Sequence, residues 1–199
     1  MTSKQTILKK LAEYQPSEQL EPLPTSGPWI HYDNKLEQFE SLIAAVGGTT
    51  LRIENEQSLE TACSELSHYQ QAGKVCAIDL QLNKSNVDLT DIDDPHDLED
   101  LDFLAIRGGV AVAENGAIWV SGEQLLHRVA PFITQHLAIV VQVNQIVHHM
   151  HEAYSLIELV RPGYGVFISG PSKTADIEQS LVIGAHGPRS LTVFVVGAS

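Results

Sequence analysis

The chain has 199 residues, 43% hydrophobic and 19% charged, ordinary for a soluble globular protein long enough to bury a core. Its 12 Lys and Arg against 25 Asp and Glu give a formal charge of −13, which argues against nucleic acid or an anionic membrane as partner. No apolar run approaches the roughly 18 residues of a membrane span, and Met1-Thr-Ser-Lys-Gln lacks a signal-peptide apolar region, so a cytoplasmic protein is expected.

Ser3 to Tyr14 reads as a short helix with Ile7, Leu8 and Leu11 on one side. Pro16, Pro22, Pro24 and Pro28 make residues 15–28 an extended linker. Residues 1–30 are therefore read as an N-terminal arm, either an ordinary tail or a segment laid on a partner or a second copy in a homo-oligomer. Residues 31–199 are read as a single α/β domain.

Leu36, Phe39, Leu42, Ile43 and Val46 follow helical spacing and stop at Gly47-Gly48; Thr49 to Ile53 is then a strand. Ser58 to about Gln71 reads as a helix with Leu59, Ala62, Cys63, Leu66 and Tyr69 inward, before a strand at Val75 to Ile78. Two helix–strand units in succession predict an α/β sheet. Cys63 and Cys76 read as reduced, partly buried small hydrophobes. Two thiols are too few for an iron–sulfur cluster, which needs about four.

Asp88 to Asp102 holds eight acidic residues and no Lys or Arg. Without the Gly and Glu of a calcium loop it reads as a solvated loop with a short helix at Pro95 to Leu101. A strand follows from Asp102 to Arg107. Val110 to Ala113 and Ala117 to Val120 flank Glu114-Asn115-Gly116, a strong hairpin signal that sets a carboxylate beside the turn.

Gln124 to Val129 reads as a helix broken by Pro131, Leu137 to Val143 as a strand, and Ile146 to Val160 as a helix. On that last segment His148, His149, His151 and Glu152 form a polar face, with no metal assigned, since no second group of ligands lies nearby in sequence. Gly165 to Val196 reads as a β-α-β unit. Val166 to Ile168 is a strand, Thr174 caps a helix from Ala175 with Asp176 in its first turn, Gly184 stops it, and Leu191 to Val196 is a strand. Ser169, Gly170, Pro171, Ser172, Lys173 and Thr174 thus crowd a strand-to-helix corner suited to a small anion. Alternatively, these residues only cap a helix and make a turn.

The run Gly170-Pro-Ser-Lys-Thr-Ala-Asp-Ile-Glu178, followed by Gly184-Ala-His-Gly-Pro188, resembles the C-terminal signature of the LutC/YkgG family, the LUD-domain lactate utilization proteins. Gly109 to Val120 is similar to the family's second signature. The resemblance covers roughly residues 100–199 and is weak before that. It implies an open, mainly parallel sheet with helices on both faces, of the NagB/RpiA/CoA-transferase-like type. It also implies a component of L-lactate oxidation to pyruvate beside an iron–sulfur oxidoreductase subunit. In that role the crevice comprises Glu114, Asn115, Gly116, Ser169 to Thr174, Asp176, His186 and Gly187, with Glu114 and His186 as candidate catalytic groups. No nucleotide fingerprint is present, and the cofactor stays unassigned. Ala113-Glu-Asn-Gly also resembles the Ser-Glu-Asn-Gly segment of CoA-transferases, whose Glu is a nucleophile, which leaves an acyl- or CoA-transferring enzyme as an alternative. A non-catalytic interaction module is the third.

Overall fold

The computed structural model describes residues 2–13, 27–157, 163–175, 181–183 and 187–197. Runs of β-branched and aliphatic residues make a five-stranded, all-parallel sheet: β1 (Thr49–Ile53), β2 (Val75–Ala77), β3 (Phe103–Arg107), β6 (His136–Gln142) and β11 (Ser190–Val196), in the order β1-β11-β6-β3-β2. Its register sets Leu104 beside Leu137, and Leu137 beside Leu191. Side chains alternate along each strand. Phe103, Ala105, Val140 and Phe194 face one way, where helices α3 (Leu59–Ser64) and α4 (Ser67–Gln71) bury Leu59, Cys63 and Tyr69.

Leu104, Ile106, Ile139 and Val193 face the other way, against Phe39 and Ile43 of α2 (Lys35–Ala45) and against a second sheet. That sheet has the order β7-β4-β5-β8 and comprises β4 (Ala111–Val112), β5 (Ile118–Ser121), β7 (Ile146–Val147) and β8 (Gly165–Ile168). On its far side Val112 and Val147 pack with Ala153 of α6 (Met150–Leu156). The open, mainly parallel α/β sheet expected from the sequence is present. One of its two coverings, however, is a small sheet together with one helix.

Helix α2 forms and stops where the sequence predicts, and Asn34, which sequence reading did not single out, caps it by accepting from the Glu37 N–H (3.2 Å). Gly47, at φ 86°, ends the helix in a Schellman turn, with Gly47 N–H to Ala44 C=O at 3.0 Å and Gly48 N–H to Ile43 C=O at 2.8 Å. Helix α1 (Ser3–Glu13) also forms, and its Ile7, Leu8 and Leu11 are exposed.

Four elements differ. The helix read from Ser58 to Gln71 is split at Leu66, whose N–H closes on Cys63 C=O (2.9 Å). Tyr69, three residues past Leu66 and on the inward side in the unbroken reading, stays buried across the break. No helix runs from Gln124 to Val129. Instead α5 (Ala130–Ile133) takes Pro131 into its first turn, where a missing N–H leaves no bond unmade. Ile146 and Val147 join the second sheet beside Ala111 and Val112, and α6 starts only after His149, whose side chain accepts from the Glu152 N–H. The β-α-β reading of 165–196 also fails. Strand β8 runs antiparallel to β5, and β9 (Lys173–Ala175) pairs antiparallel with β10 (Leu181–Ile183) as a ribbon. Thr174 therefore lies in a strand, and among the described residues no helix starts at Ala175. Asp176 and His186 lie outside the described residues.

Candidate functional site

The hairpin turn and the Gly-Pro-Ser-Lys segment, far apart in sequence, meet in space. Gly116 takes φ 68°, Asn115 Oδ1 accepts from the Ala117 N–H at 3.0 Å, and the Asn115 carbonyl accepts from Ser169 Oγ at 2.9 Å. Gly170, at φ 79°, passes so close to the Val46 carbonyl that a Cβ would stand 2.7 Å from it. Beyond it Ser172 N–H donates to Pro188 C=O at 2.9 Å, and a Cβ on Gly187 would lie 2.9 Å from that of Ser172.

The result is a cleft of about 320 Å³ between Phe132 and Leu137 on one side and Ser169 to Lys173 with Gly187-Pro188 on the other. Of the residues singled out from sequence, Ser169, Gly170, Pro171, Ser172, Lys173 and Gly187 line it together. Asn115 touches it through Ser169, and Gly116 packs instead against Ile43. Glu114 is directed elsewhere, its carboxylate accepting from the Met150 N–H at the start of α6 (3.0 Å). The cleft follows the carboxyl end of β8 but sits at the amino ends of β6 and β11.

The carboxyl edge of the parallel sheet carries a different polar group. Arg107, at the end of β3, forks onto Glu56, with Nη2 to Oε2 at 2.8 Å, and its Nε donates to Asp79 C=O at 3.0 Å. Gln142, at the end of β6, donates to Glu56 Oε1 at 3.1 Å. The guanidinium hydrogen bonds hold the Glu56 carboxyl below its ordinary range, and Glu56 in turn raises Arg107. Asp79, with φ 54°, turns the chain beside them in a conformation that costs a non-glycine residue of order 1–3 kcal/mol. A recess of about 520 Å³ opens here, lined by Glu56, Glu60, Asp79, Asn83 and Arg107. Sequence reading did not single out this group. Its one local signal is an arginine closing the apolar strand Phe-Leu-Ala-Ile just before Gly108-Gly109.

The cysteines do not fit an iron–sulfur centre. Cys63 packs on one face of the parallel sheet and Cys76 on the other, and burial pushes their thiols up to about 12 and about 11. Ligating thiolates are the opposite case.

Residues 36–196 match the LUD domain family model. The chain belongs to the LUD domain family. It is 27% identical over 161 residues to Lactate utilization protein C of Anoxybacillus flavithermus, an alignment covering 80% of this chain and 69% of that one. With the protein of the same name from Deinococcus radiodurans it shares 28% identity over 202 residues, 96% of this chain and 92% of the other. The crystal structure of a DUF162 family protein from Deinococcus radiodurans superposes with a TM-score of 0.61 at 22% identity, over 82% of this chain and 96% of that one, which establishes the shared fold. The expected family and fold class are thus both found. Among the described residues no helix of this LUD protein is long and apolar enough to cross a membrane.

Proposed function

We propose that this LUD domain protein serves in lactate utilization, as a component of an L-lactate-oxidising system acting beside an iron–sulfur oxidoreductase subunit. The observation that carries this reading is the similarity to a Lactate utilization protein C along almost the whole of both chains. The partner reading is supported by the cysteines: two thiols on opposite sheet faces hold no cluster, so an iron–sulfur centre that serves the reaction is carried by another chain. In this chain the cleft takes a small anion. Ser172 supplies a hydroxyl donor at its wall, where Ser169 is held by its bond to Asn115; Lys173 supplies a cation at its mouth, and Phe132 supplies an apolar side that limits water. His186, outside the described residues, is proposed as a proton donor on the strength of the family signature alone.

The test is purification of the protein, under anaerobic conditions, from its own cells grown on lactate. A co-purifying brown, cysteine-rich partner and lactate-dependent dye reduction are expected, with reduction weakened by Lys173→Met. A colourless protein that comes alone and inert overturns the reading. The transferase alternative rests on the exposed Glu114 carboxylate at its hairpin turn. It requires that CoA trap a thioester that Glu114→Gln abolishes.

A further inference from the structure

Residues Gly27 to Asp33 lie along the start of α6 and bring aromatic and imidazole groups together from two distant parts of the chain. Tyr32 N–H donates to His148 Nδ1 at 3.1 Å. The His31 ring meets His148 edge-on, with centroids 4.7 Å apart, and Trp29 stacks on His151 at 3.8 Å. His31, His148 and Glu152 each present one ligand atom, and the three atoms lie within 4.8 Å of one another. His31 is exposed, while His148 and Glu152 are half-buried, so the cluster is reachable from solvent but braced behind.

We infer that His31, His148 and Glu152 form a binding site for a divalent first-row transition metal of the zinc class. Two imidazoles and one carboxylate are the borderline donors such ions select, and three protein ligands leave positions open for water. The carboxylate is already oriented: Glu152 Oε2 accepts from the His148 N–H at 2.7 Å, and His149 Nε2 stands 3.8 Å from Oε1. Such outer bonds are what set a ligand's aim. The buried His149 ring is itself tied by accepting from the Glu152 N–H at 3.2 Å. At His148 the lone pair on Nδ1 is taken by Tyr32 N–H, and a cation at that nitrogen replaces this hydrogen bond. The sequence shows only the His148–Glu152 pair; the N-terminal segment delivers the third ligand. A bound ion would fasten residues 27–33 to α6, and the inference stands apart from the lactate reading.

The experiment uses the full chain without an affinity tag, titrated with Zn²⁺ by calorimetry and with Co²⁺ by its visible d–d absorption. One equivalent of either ion is expected to bind. Affinity should fall by about tenfold or more in His31→Ala, His148→Ala and Glu152→Gln, and stay unchanged in His151→Ala. The near-isosteric Glu152→Gln guards against loss of fold, checked by circular dichroism. Zn²⁺ should raise the melting temperature of the native protein and raise that of Glu152→Gln less. No binding, or binding that the three ligand variants retain, overturns the inference.

Discussion

Ser169 donates its hydroxyl to the carbonyl of Asn115 at 2.9 Å, across 54 residues of sequence, and so ties the hairpin turn to the wall of the cleft. Ser169→Ala leaves that carbonyl without its partner and is expected to lower stability by about 1 kcal/mol. Urea unfolding measures the loss. Ser172→Ala, at a position that caps no helix, should cost less.

Gly170 stands at φ 79° with the Val46 carbonyl where a Cβ would be. Gly170→Ala meets both the left-handed backbone and the contact, and a loss of about 2 kcal/mol or more is expected. Gly73→Ala, where an added Cβ meets nothing nearer than an Asp102 carboxylate oxygen at 3.4 Å, is the control in the same unfolding assay.

Glu56 and Arg107 carry an acid-side signature. Paired with Arg107, Glu56 titrates below its ordinary 4.5. The folded state therefore releases that proton more readily than the unfolded chain does. The pair's contribution is complete above pH 4.5 and is lost as pH falls from there through the lowered value. Because both side chains are about a third exposed or more, Glu56→Gln should cost only about 1 kcal/mol at pH 7. Stability curves of the two proteins should converge toward pH 3.

His68 and His136 stack with centroids 4.6 Å apart at the amino end of the parallel sheet, and His68 Nε2 is buried with no hydrogen-bond partner among the described residues. Burial holds both imidazoles below the ordinary 6.5. The charges of His68 and Arg189 push His136 further down, and Asp102 opposes. Folding thus disfavours protonation, so stability is full above pH 6.5 and falls as pH drops below it. His136 Nδ1 is paired with Ser190 Oγ at 2.8 Å, a bond that asparagine can reproduce. In His136→Asn the fall in melting temperature between pH 7 and pH 5 should be smaller than in the native protein.

What the sequence by itself determined lies within a few residues' reach. The apolar runs at Phe103–Arg107, His136–Gln142 and Ser190–Val196 read as buried strands, Asn115-Gly116 as a turn, and Gly47-Gly48 as the stop of its helix. The family signature also lay in one continuous run of chain. Where a segment is apolar in both periods, neighbours decided instead. Leu181 to Ile183 fits a helix face as well as a strand and became one side of a ribbon, and Ile146-Val147 left its helix for the edge of a sheet. Only the tertiary structure gathered Glu56, Asp79, Arg107 and Gln142 at one sheet edge, or set His31 beside His148 and Glu152. Hydrophobic periodicity and capping act over one or two turns of chain, whereas these groupings depend on strand order and on the path of the N-terminal segment, which only the packed core establishes.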